Sequence, residues 1–121
     1  MHYASTAYAK TAKETLAPRE LEASLLLKAA AKLQAVHDSW HDKPAGLSDA
    51  LMYNRKLWTV FIDAVTRDDS RLPAPVRDNL TKLGMFVMSE TFSLMTKPKP
   101  EHVEALIKIN RGIAAGLSGK A

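Results

Sequence analysis

Asparagine and arginine stand side by side twice in this chain, each time within a stripe of apolar residues. The pairs are Asn54-Arg55 and Asn110-Arg111. The apolar residues around each pair recur at the i, i+3, i+4, i+7 spacing that is typical of a buried helix face. An amide buried there without a hydrogen-bond partner costs about 1–3 kcal/mol. Each asparagine must therefore bond to another group of the protein or to a bound partner.

Two hypotheses follow for these pairs. In the first, Asn54 and Asn110 bond each other, a loop carbonyl or a glutamate of the first helix, because buried amides are usually satisfied within the protein. In the second, the amides and the neighbouring guanidinium groups reach an extended peptide or its carboxylates. Trp58 would then be an anchor for that partner. We expect a division, with the asparagines turned inward and the arginines at a rim.

Few residues of the sequence have the types and spacing needed for catalysis or for metal binding. His37 and His41 have the helical spacing of two metal ligands, and Asp38 or Asp42 could join them. Two histidines alone lack the remaining ligands of a metal site, so an exposed polar helix end is the favoured interpretation. The chain has no glycine-rich phosphate loop, no HExxH motif and no nucleophile elbow. We therefore expect no enzymatic activity, no cofactor and no metal.

Length and composition predict a single globular domain over residues 1–121, with 46% apolar residues and no cysteine. Seventeen Lys and Arg against thirteen Asp and Glu give a net charge of +4 that is spread along the chain. The mild basic excess lacks the clustering of a nucleic-acid site, so nucleic acid is not an expected partner. The N-terminus lacks signal-peptide features, and no apolar run approaches the roughly 20 residues of a membrane span. These features predict a cytoplasmic protein without membrane insertion.

Proline, glycine and apolar periodicity predict an all-α fold, a compact bundle of four main helices. The predicted helices run from Pro18 to near His41, from an N-cap at Ser48 to about Thr66, from Pro73 and Pro75 to before Lys97, and from about Glu101 to Gly116. Residues 1–16 carry a weak apolar face with two tyrosines, and we expect this segment to dock on the bundle.

The methionines allow two interpretations. Methionine is commonly a gap filler in helical cores, so all five are expected in the core. Alternatively, Met85, Met88 and Met95 line an adaptable binding groove. The apolar faces of the first and third helices are wider than a small four-helix core needs, which favours a groove on part of that surface. An exposed apolar face would also allow a self-dimer.

Four segments of the chain resemble the FlaF family of flagellar biosynthesis proteins in alphaproteobacteria. They are Tyr3 with Ala7-Tyr8-Ala9, Pro18-Arg19-Glu20-Leu21-Glu22, Asn54-Arg55-Lys56-Leu57-Trp58, and Ile109-Asn110-Arg111-Gly112-Ile113-Ala114-Ala115-Gly116-Leu117. Each motif alone is modest, but the order and the distances between them match a whole FlaF protein. The resemblance therefore covers nearly the entire chain.

The resemblance implies a small cytoplasmic helical protein that binds flagellin as a secretion chaperone and promotes its synthesis and export. The alternative is a post-transcriptional regulator of flagellin mRNA translation, alone or with FlbT, and FlbT is a further partner to consider. The residues that match the family motifs, and are predicted to bind the partner, are Tyr8, Arg19, Glu22, Asn54, Arg55, Trp58, Asn110 and Arg111. Gly112 lies within a predicted helix, where it either loosens the helix or admits a close neighbour.

Overall fold

Four helices pack side by side in a closed ring. A computed structural model describes residues 18–41 and 44–119. The helices are α1 (Pro18–Asp38), α2 (Leu47–Thr66), α3 (Ala74–Thr96) and α4 (Pro100–Leu117). Each helix packs against the next one along the chain, and α4 closes the ring by packing most extensively against α1. This arrangement confirms the predicted all-α bundle, whereas the predicted docking of residues 1–16 lies outside the described residues.

Glycine or proline residues lie at the starts of α2, α3 and α4, and one predicted N-cap is wrong. Gly46, not Ser48, is the N-cap of α2, with φ of 80° and no side-chain cap bond. The positive φ suits glycine, which has no Cβ to clash, and Gly46 O accepts from the Ala50 N–H at 3.0 Å. The first helix ends at Asp38, three residues before the predicted His41. Prolines occupy the first turns of α3 and α4, where the missing N–H costs no helical bond.

The core lies along the axis of the ring and receives side chains from all four helices. Its apolar members include Ala23, Leu26, Leu33, Leu51, Trp58, Phe61, Val87, Leu94, Val103, Leu106 and Ala114. Three polar residues are buried with them, namely Asn54, Asn110 and Thr91. Both asparagines are fully enclosed, so the core contains two side-chain amides that need internal partners.

The prediction that the methionines fill the core is wrong for Met52, Met85 and Met95. Their side chains are 54%, 69% and 63% exposed, while Met88 is partly buried. On α3 the buried stripe is Gly84, Val87, Thr91 and Leu94. The set Met85, Met88, Phe92 and Met95 has the same spacing, displaced by one residue. One residue turns a helix by about 100°, so this second apolar stripe faces outward.

A glycine allows α2 and α3 to approach closely. A Cβ added to Gly84 would lie 2.5 Å from Ile62 Cδ1 and 2.7 Å from Ile62 Cγ1. Further along the pair, Leu51 of α2 lies across from Leu94 of α3 at one cleft, so the two helices run antiparallel. In contrast, a Cβ on Gly112 would have no neighbour within 4 Å in the described structure, so Gly112 does not serve a close helix contact.

Alanine at these two glycines should change stability in opposite directions. Gly84→Ala should lower the free energy of unfolding by about 1 kcal/mol or more, because Ile62 is stiff at χ1 and must move or force the helices apart. Gly112→Ala should raise it by roughly 0.5–1 kcal/mol, because alanine favours the helix and meets no atom. Urea denaturation of both variants measures the difference. Equal stabilisation of the two would contradict the close α2–α3 approach.

Candidate functional site

The two buried asparagines bond each other across the bundle. Asn110 Nδ2 donates to Asn54 Oδ1 at 2.7 Å and lies 3.5 Å from the Leu26 carbonyl oxygen. The indole Nε1–H of Trp58 donates to Asn110 Oδ1 at 2.9 Å. One amide of α4 therefore joins α2 through two side chains and α1 through its backbone. The inward hypothesis for the asparagines is confirmed.

Trp58 is fully buried in this network, and it also meets Phe61 edge to face with 5.5 Å between ring centroids. Its ring supplies apolar area to the core while its single polar atom is satisfied by Asn110. Unlike the other polar atoms of this network, Asn54 Nδ2 makes no hydrogen bond to any described residue. In this conformation Asn54, Trp58 and Asn110 present no surface, so a role in partner contact stays a prediction for all three.

The arginines that follow the asparagines both lie at the surface but in different surroundings. Arg111 Nη2 donates to Gln34 Oε1 at 3.2 Å, on the side where α4 meets α1. Arg55 is exposed and lines a cleft between α2 and α3. The asparagines turn inward as expected, and Arg55 has the expected position at the rim of a cleft. Arg111 lies at the surface but lines neither that cleft nor the second described one.

The remaining predicted contact residues are dispersed. Arg19 is exposed at the start of α1, and Glu22 is partly buried one turn later. Burial raises the pKa of the Glu22 carboxyl above its ordinary value, and the positive charge of Arg19 offsets part of that rise. Tyr8 lies outside the described residues. The structure therefore does not bring the predicted contact residues together into one exposed site.

The cleft beside Arg55 has a largely apolar lining. We call it the groove; its volume is ≈ 310 Å³, and α2 and α3 form its walls. Its lining residues are Leu47, Ser48, Leu51, Met52, Arg55, Thr91, Leu94, Met95 and Pro98. Leu51, Leu94 and Thr91 are buried at its floor, and the Thr91 hydroxyl already donates to the Val87 carbonyl at 2.7 Å. The groove thus offers an apolar floor whose hydroxyl is satisfied.

A methionine-rich face continues from the groove along α3. It consists of Met52 and Met95 at the groove together with Met85, Met88 and Phe92, and we call this set the methionine face. Phe92 is 67% exposed, so the outer part of the face is open to solvent. Flexible thioether side chains adapt to varied apolar partners, and such surfaces recur at protein-binding sites.

Two histidines form hydrogen bonds with carboxylates of neighbouring helices. His37 Nε2 lies 2.8 Å from Glu104 Oε1 between α1 and α4, and His102 Nδ1 lies 2.5 Å from Glu90 Oε2 between α4 and α3. Among residues 18–41 and 44–119, no group of three or more His, Cys, Asp or Glu side chains is arranged to hold a metal ion. Within the same residues, no helix combines the length and apolar content of a membrane span.

Comparison with known proteins places the chain in a family. The family model described as Flagellar protein FlaF matches residues 4–117. This chain belongs to the FlaF family. The match spans all four helices, the groove and both Asn-Arg pairs, and it agrees with the resemblance seen in the motifs. Comparisons with curated proteins and with solved structures found no match.

The methionine face of this FlaF-family chain could be predicted from the sequence only in part. Met85, Met88 and Met95 were assigned to a groove as the alternative to a core position, whereas Met52 and Phe92 were not proposed as surface residues. The signal in the sequence is a pair of parallel, mainly apolar stripes on α3 with 3-4-3 spacing, and its meaning becomes clear once the packing shows that one stripe is buried. A helix in a four-helix ring buries one such stripe, and the second must then be exposed or covered by a partner.

Removing the amide of Asn110 should cost more stability than removing that of Asn54. Asn110→Ala leaves the Trp58 N–H and Asn54 Oδ1 without partners and opens a cavity, so a loss of about 3 kcal/mol is expected. Asn54→Ala removes an amide whose nitrogen is already unpaired and should cost roughly 1–2 kcal/mol. Urea denaturation of the two variants gives the comparison. The reverse order would contradict the central position of Asn110.

Glu22→Gln should stabilise the protein near neutral pH. The pKa of the Glu22 carboxyl is higher in the folded state than in the unfolded state, so folding favours the protonated form. The resulting contribution to the free energy of unfolding is fully present below the unfolded-state pKa and is lost as pH rises through the folded-state pKa. Glutamine stays neutral at every pH, so its advantage should be present near pH 7 and vanish below about pH 4. Denaturation at both pH values tests this, and a less stable variant near pH 7 would contradict the burial effect.

Proposed function

We propose that this flagellar protein binds unassembled flagellin as a secretion chaperone, holding the subunit in the cytoplasm before its export. Membership of the FlaF family supports the flagellar setting. The observation that carries the proposal is the exposed methionine face beside the groove. Four of the five side chains of this face, those of Met52, Met85, Phe92 and Met95, are more than half exposed, which is unusual for a protein without a partner. The non-enzymatic role expected from the sequence is part of the same proposal.

The shape of the groove suits a helical partner. An amphipathic helix can lay its apolar edge between two antiparallel helices, with its large side chains entering the depression between them. The methionine face extends ten residues along α3, from Met85 to Met95, which corresponds to about 15 Å or three helical turns. Flagellin segments that are apolar before assembly would be covered there. Covering them would prevent premature association with other flagellin subunits.

The translation-regulator role remains the alternative candidate. Its support is the net charge of +4, which would favour contact with the phosphate backbone of a flagellin mRNA. A second alternative is an adaptor whose main partner is FlbT and whose effect on flagellin is indirect. Both alternatives leave the methionine face without a function, whereas the chaperone proposal uses it.

Replacing Phe92 by serine should weaken binding to purified unassembled flagellin by about tenfold or more, because an apolar anchor contributes at least 1–2 kcal/mol. Val60→Ser is the matched control, because Val60 is also 67% exposed but belongs to neither the methionine face nor the groove lining. Its affinity should stay within about twofold of wild type. Titration calorimetry with each variant measures the affinities, and circular dichroism checks that the helix content is unchanged.

Two results would count against the chaperone proposal. One is no measurable complex between wild-type protein and flagellin. The other is binding to the flagellin leader RNA that falls steeply with salt while flagellin itself is ignored, which would favour the regulator. A pull-down that combines purified protein, flagellin, FlbT and leader RNA distinguishes these outcomes in one experiment.

A further inference from the structure

Arg55 is the charged residue that lines the groove. Among residues 18–41 and 44–119, no carboxylate forms an ion pair with it, whereas the exposed Arg67 pairs with Asp63 at 3.0 Å. An arginine beside an apolar floor presents a planar fork that matches a carboxylate with two parallel hydrogen bonds. The groove therefore combines an apolar surface with one unused site for an anion.

Charged residues of both signs adjoin the groove-lining residues in the chain. Lys97 precedes Pro98, Lys56 follows Arg55 and Asp49 follows Ser48, while Glu90, before Thr91, bonds His102. The groove-lining residues themselves include no aspartate or glutamate. A partner that enters the groove thus meets Arg55 as the one charged group of the lining, which favours an acidic side chain on the flank beside it.

We infer that the occupant of the groove is an amphipathic helix of about three turns with an acidic residue on the flank that faces Arg55. The apolar edge of that helix fills the groove and covers the methionine face, and its Asp or Glu accepts hydrogen bonds from the Arg55 guanidinium. This inference rests on the proposed function, since it describes the flagellin segment that the chaperone would hold. The methionines tolerate different apolar residues, so the carboxylate selects the orientation of the helix.

A second copy of this chain suits the groove less well. Two copies that pair through the same surface each bring Arg55 and Lys97, and the groove-lining residues of the partner supply no carboxylate. Like charges at a shared rim oppose association. An acidic helix, in contrast, satisfies both the apolar floor and the arginine.

Charge reversal at Arg55, with the same change at Arg71 as a matched control, tests the inference. Arg55→Glu should weaken binding of unassembled flagellin by tenfold or more, and raised salt should reduce the difference from wild type. Arg71 is exposed in the loop that joins α2 to α3, at the end of this helix pair away from the groove, so Arg71→Glu should bind flagellin within twofold of wild type. In addition, lysine replaces each Asp and Glu of the flagellin terminal segments in turn. At least one such flagellin variant should restore binding to Arg55→Glu.

The outcomes separate this inference from the chaperone proposal. If wild type binds flagellin and Arg55→Glu binds equally well, or both reversals weaken binding alike, the acidic-helix inference is overturned and the chaperone proposal stands. If wild type does not bind flagellin, both are overturned. If light scattering gives a wild-type dimer that Phe92→Ser converts to a monomer, a second copy covers the methionine face and the inference is overturned.

Discussion

The amide of Asn110 is the interaction on which the rest of the bundle depends. It accepts from Trp58, donates to Asn54, and lies within reach of the Leu26 carbonyl, so one side chain links three of the four helices. Apolar packing alone tolerates small rotations and shifts of a helix, because hydrophobic contacts have no fixed direction. A buried amide tolerates much less, since any shift leaves polar groups unpaired at a cost of about 1–3 kcal/mol each.

The hydrogen bond between Asn54 and Asn110 fixes the rotation of α2 about its axis, and this rotation determines where Arg55 lies at the surface. With Asn54 held inward, the next residue is turned by about 100°, and this places Arg55 at the groove. The same geometry on α4 directs Arg111 towards Gln34 of α1. Each Asn-Arg pair therefore couples an internal hydrogen bond to an exposed cation. The two pairs differ in their surroundings, because only the first lies where two helices leave an apolar cleft.

Much of the fold could be predicted from the sequence, because proline, glycine and 3.6-residue periodicity determine where these helices start, stop and face. The helix ends were placed within a few residues, and the inward direction of both asparagines followed from the stripes that contain them. Which helices are neighbours was not predictable. The exposure of Met52, Met85 and Met95 depends on that packing, and local sequence cannot show that α3 buries one apolar stripe rather than two.

The groove also depends on how α2 and α3 pack against each other. Gly84 brings α3 close to α2 at Ile62, and the helices leave a cleft further along, near Leu51 and Leu94. A glycine within a predicted helix indicates a close approach but does not identify the neighbour. The position of Arg55 at that cleft therefore becomes visible only once α2 and α3 are side by side.

Methyl NMR of the methionines shows whether flagellin covers the methionine face. Protein labelled with ¹³C at the methionine methyl groups would be titrated with purified unassembled flagellin. The signals of Met52, Met85 and Met95, which are exposed in the free protein, should shift or broaden as the complex forms. A complex that forms while these three signals keep their positions and line widths would show that flagellin binds elsewhere.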